Sequence, residues 1–231
     1  MDSIEHIVEQ ASKLGHTLTV LSDIKSGKEA VVYRVLLDGD IVAMKMYKKP
    51  EERDFKNTAV SLEGKYYRKP SERRAAVKGG AFARKLRHEN WVKREFFMLK
   101  KLFDSGASIP RPILQIDDAL FMELLGNRNA VAPRLCDVNL DVGEAKQVFD
   151  EIIRNVEIFW NEGIVHADLS AFNILWWNSS PYIIDFPQSV DRRMHPNARE
   201  LLDRDLENVA RYFGKYHLDI SLSEIKSTFQ E

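Results

Sequence analysis

Within twenty residues the sequence brings together two carboxylates and a carboxamide: Asp168 and Asn173 in "HADLSAFNIL", and Asp185 in "YIIDF". These are hard oxygen donors, which could be the working parts of a metal-nucleotide site. Read without context, the same three residues are equally compatible with polar decoration of loops. A second pair lies upstream. Lys45 ends the run "IVAMK", and a lysine turned inward on a central strand must be paired or neutralised. Glu95 shares helical spacing with Trp91, Leu99 and Leu102 and is expected to point inward with them, which would make an ion pair that aims an ammonium at phosphates. Taken alone, a rim lysine and an unrelated surface glutamate account for the two residues as well.

Several elements must position these groups. Ile4, Ile7, Val8, Ala11 and Leu14 predict a short amphipathic helix. "TLTVLSDI", "AVVYRVLL" and "DIVAMKMY" are rich in β-branched residues and separated by turn signals, so they predict consecutive antiparallel strands. "NWVKREFFMLKKLFDSG" predicts a helix with Trp91, Val92, Phe96, Leu99, Leu102 and Phe103 on its apolar face and Gly106 past its end. "PRPILQIDDALFMELL" predicts two strands turning at Asp117-Asp118. The second half differs. Ala145, Val148, Phe149, Ile152, Ile153, Val156, Phe159 and Trp160 mark a long amphipathic helix capped near Gly163. "NILWW" and "YIIDF" predict a hairpin, and "NARELLDRDLENVARYFGKY" another helix. The expectation is an α+β fold in one domain, residues 1–231. Residues 1–125 form an N-terminal lobe of antiparallel sheet with one main helix, 126–133 a hinge at "GNRNAVAP", and 134–231 a mainly helical lobe. Ligand-binding groups are expected at the element ends facing the cleft between them.

Composition sets limits. With 44% hydrophobic and 30% charged residues and a formal net charge of −1, the chain fits neither disordered nor collagen-like classes. No apolar run reaches the roughly 20 residues of a membrane span, and acids stand where a signal peptide has a basic start, so a cytoplasmic protein is expected. Cys136 is the only cysteine, which excludes an intrachain disulfide and a cysteine-based zinc site. From Lys65 to Arg94, however, eleven Lys or Arg stand against two Glu, a local charge of about +9. That run fits an anionic partner, and it fits a solvated flexible loop over 56–90 equally well.

In order along the chain, Lys45 with Glu95, "HADLSAFN" and "YIIDF" resemble the strand-to-helix ion pair, catalytic loop and metal-binding strand end of the protein-kinase-like fold. "SGKEAVVY" in place of a fully glycine-rich loop, "HADLSxxN", and "IDFPQSV" with "HPNA" downstream are more closely similar to the RIO family of atypical serine/threonine protein kinases. The resemblance runs from about Asp23 to Tyr216. The "SGKEA" loop is like the first RIO subfamily, whereas "IDFPQ" and "HPNA" are like the second. About twenty residues precede the first strand, too few for the winged helix of that second group, so a minimal single-domain member is expected.

The resemblance implies a two-lobed kinase-like fold that binds ATP with Mg2+ or Mn2+. Asp168 would receive or orient the acceptor hydroxyl's proton, and Asn173 and Asp185 would hold the metal. Lys45, braced by Glu95, would contact the phosphates. The amides of Ser26 and Gly27 and the side chain of Lys28 would cover them, with Lys25 and Val32 also at the nucleotide. Met122 and Leu124 would flank the adenine, with hydrogen bonds from the backbone around Glu123 to Leu124. His166 is expected to brace the loop, Ser170 to cap its turn, and His195 to fix a turn. Only 46 residues follow Asp185 and no "APE"-like element occurs, so the activation segment and late helices of conventional kinases are expected to be missing. Three activities are open: a Ser/Thr kinase acting on itself or a docked partner, which is a ribosomal precursor or RNA-protein particle if the basic run binds RNA; an ATPase switch passing phosphate through Asp185; and an aminoglycoside-type small-molecule kinase, which Ala167 argues against because those enzymes usually carry glycine there.

Overall fold

A computed structural model describes residues 3–48, 81–127 and 130–229, and of 81–91 the backbone alone. It divides into two compact units. Among described residues the first comprises 3–48, 81–100, 111–127 and 130–131, and the second comprises 101–110 and 132–229. Residues 101–110 therefore group with the second unit, whereas sequence texture assigns them to the N-terminal half. Residues 65–80 of the basic run, and 56–80 of the loop expected over 56–90, lie outside the described residues; the backbone of 81–90 is helix and not loop.

In the first unit, helix α1 (Ser3–Lys13) precedes strands β1 (Leu18–Ser26), β2 (Ala30–Leu37) and β3 (Asp40–Tyr47), then helix α2 (Ala81–Asp104), of which residues 101–104 group with the second unit, and strands β4 (Pro112–Ile116) and β5 (Ala119–Glu123). The strands form an antiparallel sheet in the order β1-β2-β3-β5-β4. β2 and β3 turn at Asp38-Gly39, both at positive φ (53° and 95°), the tight turn that a "DG" pair favours between strands. Along β3 side chains alternate. Val42 and Met44 join Ile7 and Ala11 of α1 in the core with Val35, Ile116 and Phe121, so Lys45 and Tyr47 face the other way. Leu14 is 64% exposed because α1 stops at Lys13 and Gly15, at φ 87°, turns the chain away.

Helix α2 starts at Ala81, well before the "NWV" start that apolar spacing predicts, because "AFARKLRHEN" is made largely of good helix formers. Val92, Glu95, Leu99 and Leu102 form its buried stripe. Phe103 is exposed and Phe96 half-buried, against expectation. At 100° per residue both fall roughly 60–80° from the stripe's centre, at its flank.

The second unit is built on helix α3 (Val142–Asn161), which starts with a reciprocal cap: Glu144 N–H donates to Asp141 (2.8 Å) and Asp141 N–H to the Glu144 carboxylate (3.0 Å). Its buried face runs from Ala145 to Trp160. Strand β6 (Ile164–Val165) pairs with β9 (Val190–Asp191), and β7 (Ile174–Trp177) with β8 (Ser180–Ile183), as a hairpin turned by Asn178-Ser179. Helix α4 (Ala198–Phe213) buries Leu202, Asp205, Leu206, Val209 and Phe213, and α5 (Leu222–Thr228) follows. Phe159 meets Phe186 and Phe149 meets Phe213 edge-on, each 5.4 Å between centroids. His195 fixes the turn into α4 by accepting from Asn197 N–H (3.2 Å).

Candidate active site

Lys45 is 8% exposed and Glu95 3%, too buried for either charge to stand alone. The Lys45 ammonium donates to Glu95 Oε1 at 3.0 Å. The second carboxylate oxygen accepts the hydroxyl of Tyr47, which lies two residues beyond Lys45 on the same face of β3. Burial, followed by the nearby Glu95 charge, holds the Tyr47 phenol well above its ordinary range, so it stays a donor. Glu95 is thus fixed at both oxygens, and Tyr47 is a member of this group that spacing alone does not reveal. Tyr47→Phe keeps the packing and removes one donor. It is expected to cost about 1–3 kcal/mol in denaturant unfolding, because a carboxylate oxygen then sits buried without its partner.

Cross-strand pairing places Lys25 beside Val32 and Val32 beside Lys45, while Ala43 pairs with Met122. Paired residues share a face, so these side chains lie on the Lys45 side of the sheet. The Gly27 amide expected at the phosphates and the Glu123 amide both have partners within the first unit. Gly27 N–H closes the β1-β2 turn on Ala30 O (2.9 Å), and Glu123 N–H bonds Arg111 O (2.9 Å) within the sheet edge. The Gly27 carbonyl accepts from Lys48 Nζ at 2.7 Å, while Lys25, Ser26 and Lys28 are exposed and Leu124 is half-buried.

The second unit shapes its loop through α4. Ala167 sits at φ 64°, a left-handed conformation costing a non-glycine residue roughly 1–2 kcal/mol. The surrounding bonds enforce it. Asp205 accepts Ala167 N–H (2.7 Å) on one oxygen and Leu169 N–H (2.9 Å) on the other, Arg204 donates to the Ala167 carbonyl, and Asn208 Nδ2 donates to Leu169 O (3.3 Å). Between the two clamped amides stands Asp168, whose side chain is left open to solvent. Desolvation by the protein packed beside it raises its pKa, the Asn173 hydrogen bond opposes this, and the Asp185 charge adds to it.

Asn173 Nδ2 donates to Asp168 O (2.9 Å) and Asp168 Oδ2 (3.2 Å), so that neither bond uses its Oδ1. The Asn173 carbonyl accepts Ile184 N–H (2.9 Å), so Asn173 and the residue before Asp185 are tied directly. Asp185 is exposed at φ 72°. His166, 2% exposed, donates from Nε2 to Ile184 O (3.1 Å) and accepts Asp168 N–H at Nδ1 (3.3 Å), so the ring braces both segments. Phe186 packs on that ring at 4.7 Å. Ser170 caps the following turn through its carbonyl, which accepts Asn173 N–H (2.9 Å), and not through its hydroxyl.

An amide oxygen and a carboxylate on adjoining segments suit Mg2+ or Mn2+ whose remaining positions are filled by phosphate oxygens and water. Among the described residues no group of three or more His, Cys, Asp or Glu could hold a metal by itself.

Asp205 is pushed up to about 6 by burial, against the pull of its two amide donors and Arg204. Because its folded value is raised, the neutral form favours the fold. That contribution is full below the ordinary carboxylate range and is lost as pH rises through about 6. Asp205→Asn removes the buried charge but sets an NH2 against one backbone N–H. The expected result is a near-unchanged melting temperature and, through displacement of the Asp168 loop, a loss of turnover on the order of 10²-fold. In the wild type, turnover is expected to fall on acidification through about 6 while the fold persists.

A family model, the RIO domain, matches residues 31–225. The RIO-type serine/threonine-protein kinase Rio1 of Thermoplasma acidophilum is 35% identical over 136 residues, covering 59% of this chain and 70% of that protein. Rio1 of Haloferax volcanii is 33% identical, covering 89% and 67%. The Schizosaccharomyces pombe serine/threonine-protein kinase rio1 is 31% identical, covering 83% of this chain but 37% of its own length. Among solved structures, the Rio2 kinase of Chaetomium thermophilum in an ADP/Mg2+-phosphoaspartate complex has a TM-score of 0.64 at 23% identity, over 95% of this chain and 64% of that one. That likeness is one of fold.

Proposed function

Since the chain belongs to the RIO family of atypical serine/threonine protein kinases, we propose that it binds ATP with Mg2+ and transfers the γ-phosphate to a serine or threonine hydroxyl, its own or that of a docked partner. The observation that carries this reading is the Asp168 loop, with its backbone clamped by Asp205 and Arg204 and its side chain tied to Asn173. The catalytic work is positioning and charge neutralisation. The acceptor oxygen bonds to the γ-phosphorus as the bond to the bridging β-γ oxygen breaks, and ADP leaves. Asp168 orients the hydroxyl and takes its proton, for which a raised pKa suits it. Lys45, oriented by Glu95 and Tyr47, neutralises phosphate charge. Asn173 and Asp185 would hold the metal, which supplies positive charge to the β- and γ-oxygens. Lys25, Lys28 and Val32 would lie at the nucleotide, and Met122, Glu123 and Leu124 at its base.

A second reading is favoured by one observation: the Chaetomium Rio2 structure carries a phosphoaspartate. In that reading Asp185 takes the γ-phosphate as an acyl phosphate and water releases it, giving an ATPase switch. Under either reading the Lys65–Arg94 run supports an anionic partner in the cytoplasm, such as RNA of a small-subunit ribosomal precursor. Among the described residues no helix is long and apolar enough to cross a membrane. The chemistry of the product separates the two readings. Label from γ-labelled ATP that survives acid and hydroxylamine and is recovered as phosphoserine or phosphothreonine supports the kinase. Label lost to hydroxylamine, with free phosphate accumulating, supports the acyl phosphate and overturns the first reading.

A further inference from the structure

Phe172 stands one residue before Asn173 and four after Asp168, and its side chain is 59% exposed. Burying a phenylalanine is worth about 1.5–3 kcal/mol, so the fold forgoes that gain in one of its most tightly bonded loops. The place of the ring is nevertheless set by its backbone and by one neighbouring side chain. Its backbone lies in the 3-10 turn Ala171–Asn173, anchored by buried Ala171 and by the Asn173 N–H to Ser170 O bond (2.9 Å). The Arg134 guanidinium lies 5.6 Å from the ring centroid, within cation–π range. Arg134 is itself fixed, since Nε donates to Asp137 Oδ2 at 2.8 Å and Nη2 to Oδ1 at 3.3 Å, and its backbone bridges Leu175. Asp137 offsets the charge beside the ring, and what the ring offers outward is an exposed apolar surface.

We propose that Phe172 is a specificity-determining contact for the phosphate-accepting segment of a protein substrate, taking an apolar side chain within three residues of the acceptor serine or threonine. The acceptor hydroxyl must come within hydrogen-bond reach of Asp168. Between Asp168 and Phe172 the loop spans at most roughly 11 Å, two extended steps followed by two 3-10 steps. An extended peptide covers that in about three residues. A side chain that near the acceptor comes within reach of the exposed ring. The proposal rests on the kinase reading.

The test uses the full chain, ATP-Mg2+ and a peptide library with a fixed serine or threonine and one neighbouring position varied. The wild type is expected to favour Leu, Ile, Met or Phe at one such position. Phe172→Ala is expected to lose about tenfold in kcat/KM on the favoured peptide, through KM, with kcat and the KM for ATP unchanged. Phe172→Leu should retain the preference, and Phe172→Glu should turn it towards Lys or Arg. Equal preferences in wild type and Phe172→Ala, or a wild type that labels peptides with no apolar preference, would overturn the role of Phe172 and leave the kinase reading standing. A wild type that labels neither peptide nor itself while releasing phosphate would remove the kinase reading and this proposal with it.

Discussion

Asp168→Ala is expected to slow phosphoryl transfer by roughly 10²- to 10⁴-fold while nucleotide affinity changes little. The selectivity follows from where Asp168 stands. Its backbone is positioned by Asp205 and His166 and its carbonyl holds the Asn173 amide, and none of these bonds needs the Asp168 carboxylate. Only the bond from Asn173 Nδ2 to Asp168 Oδ2 is lost with the side chain. The loop is therefore expected to keep its shape and lose its base. Single-turnover transfer beside calorimetric ADP-Mg2+ binding checks this. Transfer at the wild-type rate would remove Asp168 as the base, and a parallel collapse of binding would make it a structural residue.

The second large effect is expected at Lys45. Its side chain is 10% exposed and that of Glu95 3%, and removing one partner of a pair so buried leaves an uncompensated charge, at a cost of about 3–5 kcal/mol. Lys45→Met should lose both that stability and nucleotide binding. Adding Glu95→Leu removes the orphaned carboxylate. The double variant is expected to recover much of the stability, since well-packed apolar residues often replace a buried pair at little cost, yet to remain unable to bind nucleotide. Chemical denaturation and ADP titration of the four proteins separate the two roles. Nucleotide binding restored in the double variant would contradict a direct contact between Lys45 and phosphate.

The parts of this molecule that were legible in sequence are those governed by pattern. β-Branched runs divided by "DGD" and "IDDA" specify the strands and their turns, and the stripe from Ala145 to Trp160 specifies α3, because burial of one face fixes its periodicity. Glu95 was legible for the same reason, as an acid in phase with an apolar stripe. Tyr47 was not, because an aromatic residue on a strand reads as core and nothing local marks its hydroxyl. Asp205 hides in "DRDLEN", where alternating charges read as a solvated face. Only its phase with Leu202, Leu206 and Val209 sets it apart from Asp203 and Glu207. Backbone commitments were beyond reach. That Gly27 and Glu123 spend their amides within the sheet follows from turn and edge geometry, which residue types do not encode. The left-handed turn at Ala167 is likewise a tertiary effect, in which α4 imposes on alanine a conformation it does not favour.

The most direct test of the central claim, that Asp168, Asn173 and Asp185 form a metal-dependent phosphoryl-transfer site, is the transfer of label from γ-labelled ATP by purified protein. It is measured with Mg2+ and with EDTA, in the wild type and in Asp185→Asn. Label moving from ATP only with Mg2+ present, and not in Asp185→Asn, is the predicted result. Transfer that persists in EDTA, or that is undiminished in Asp185→Asn, would contradict it.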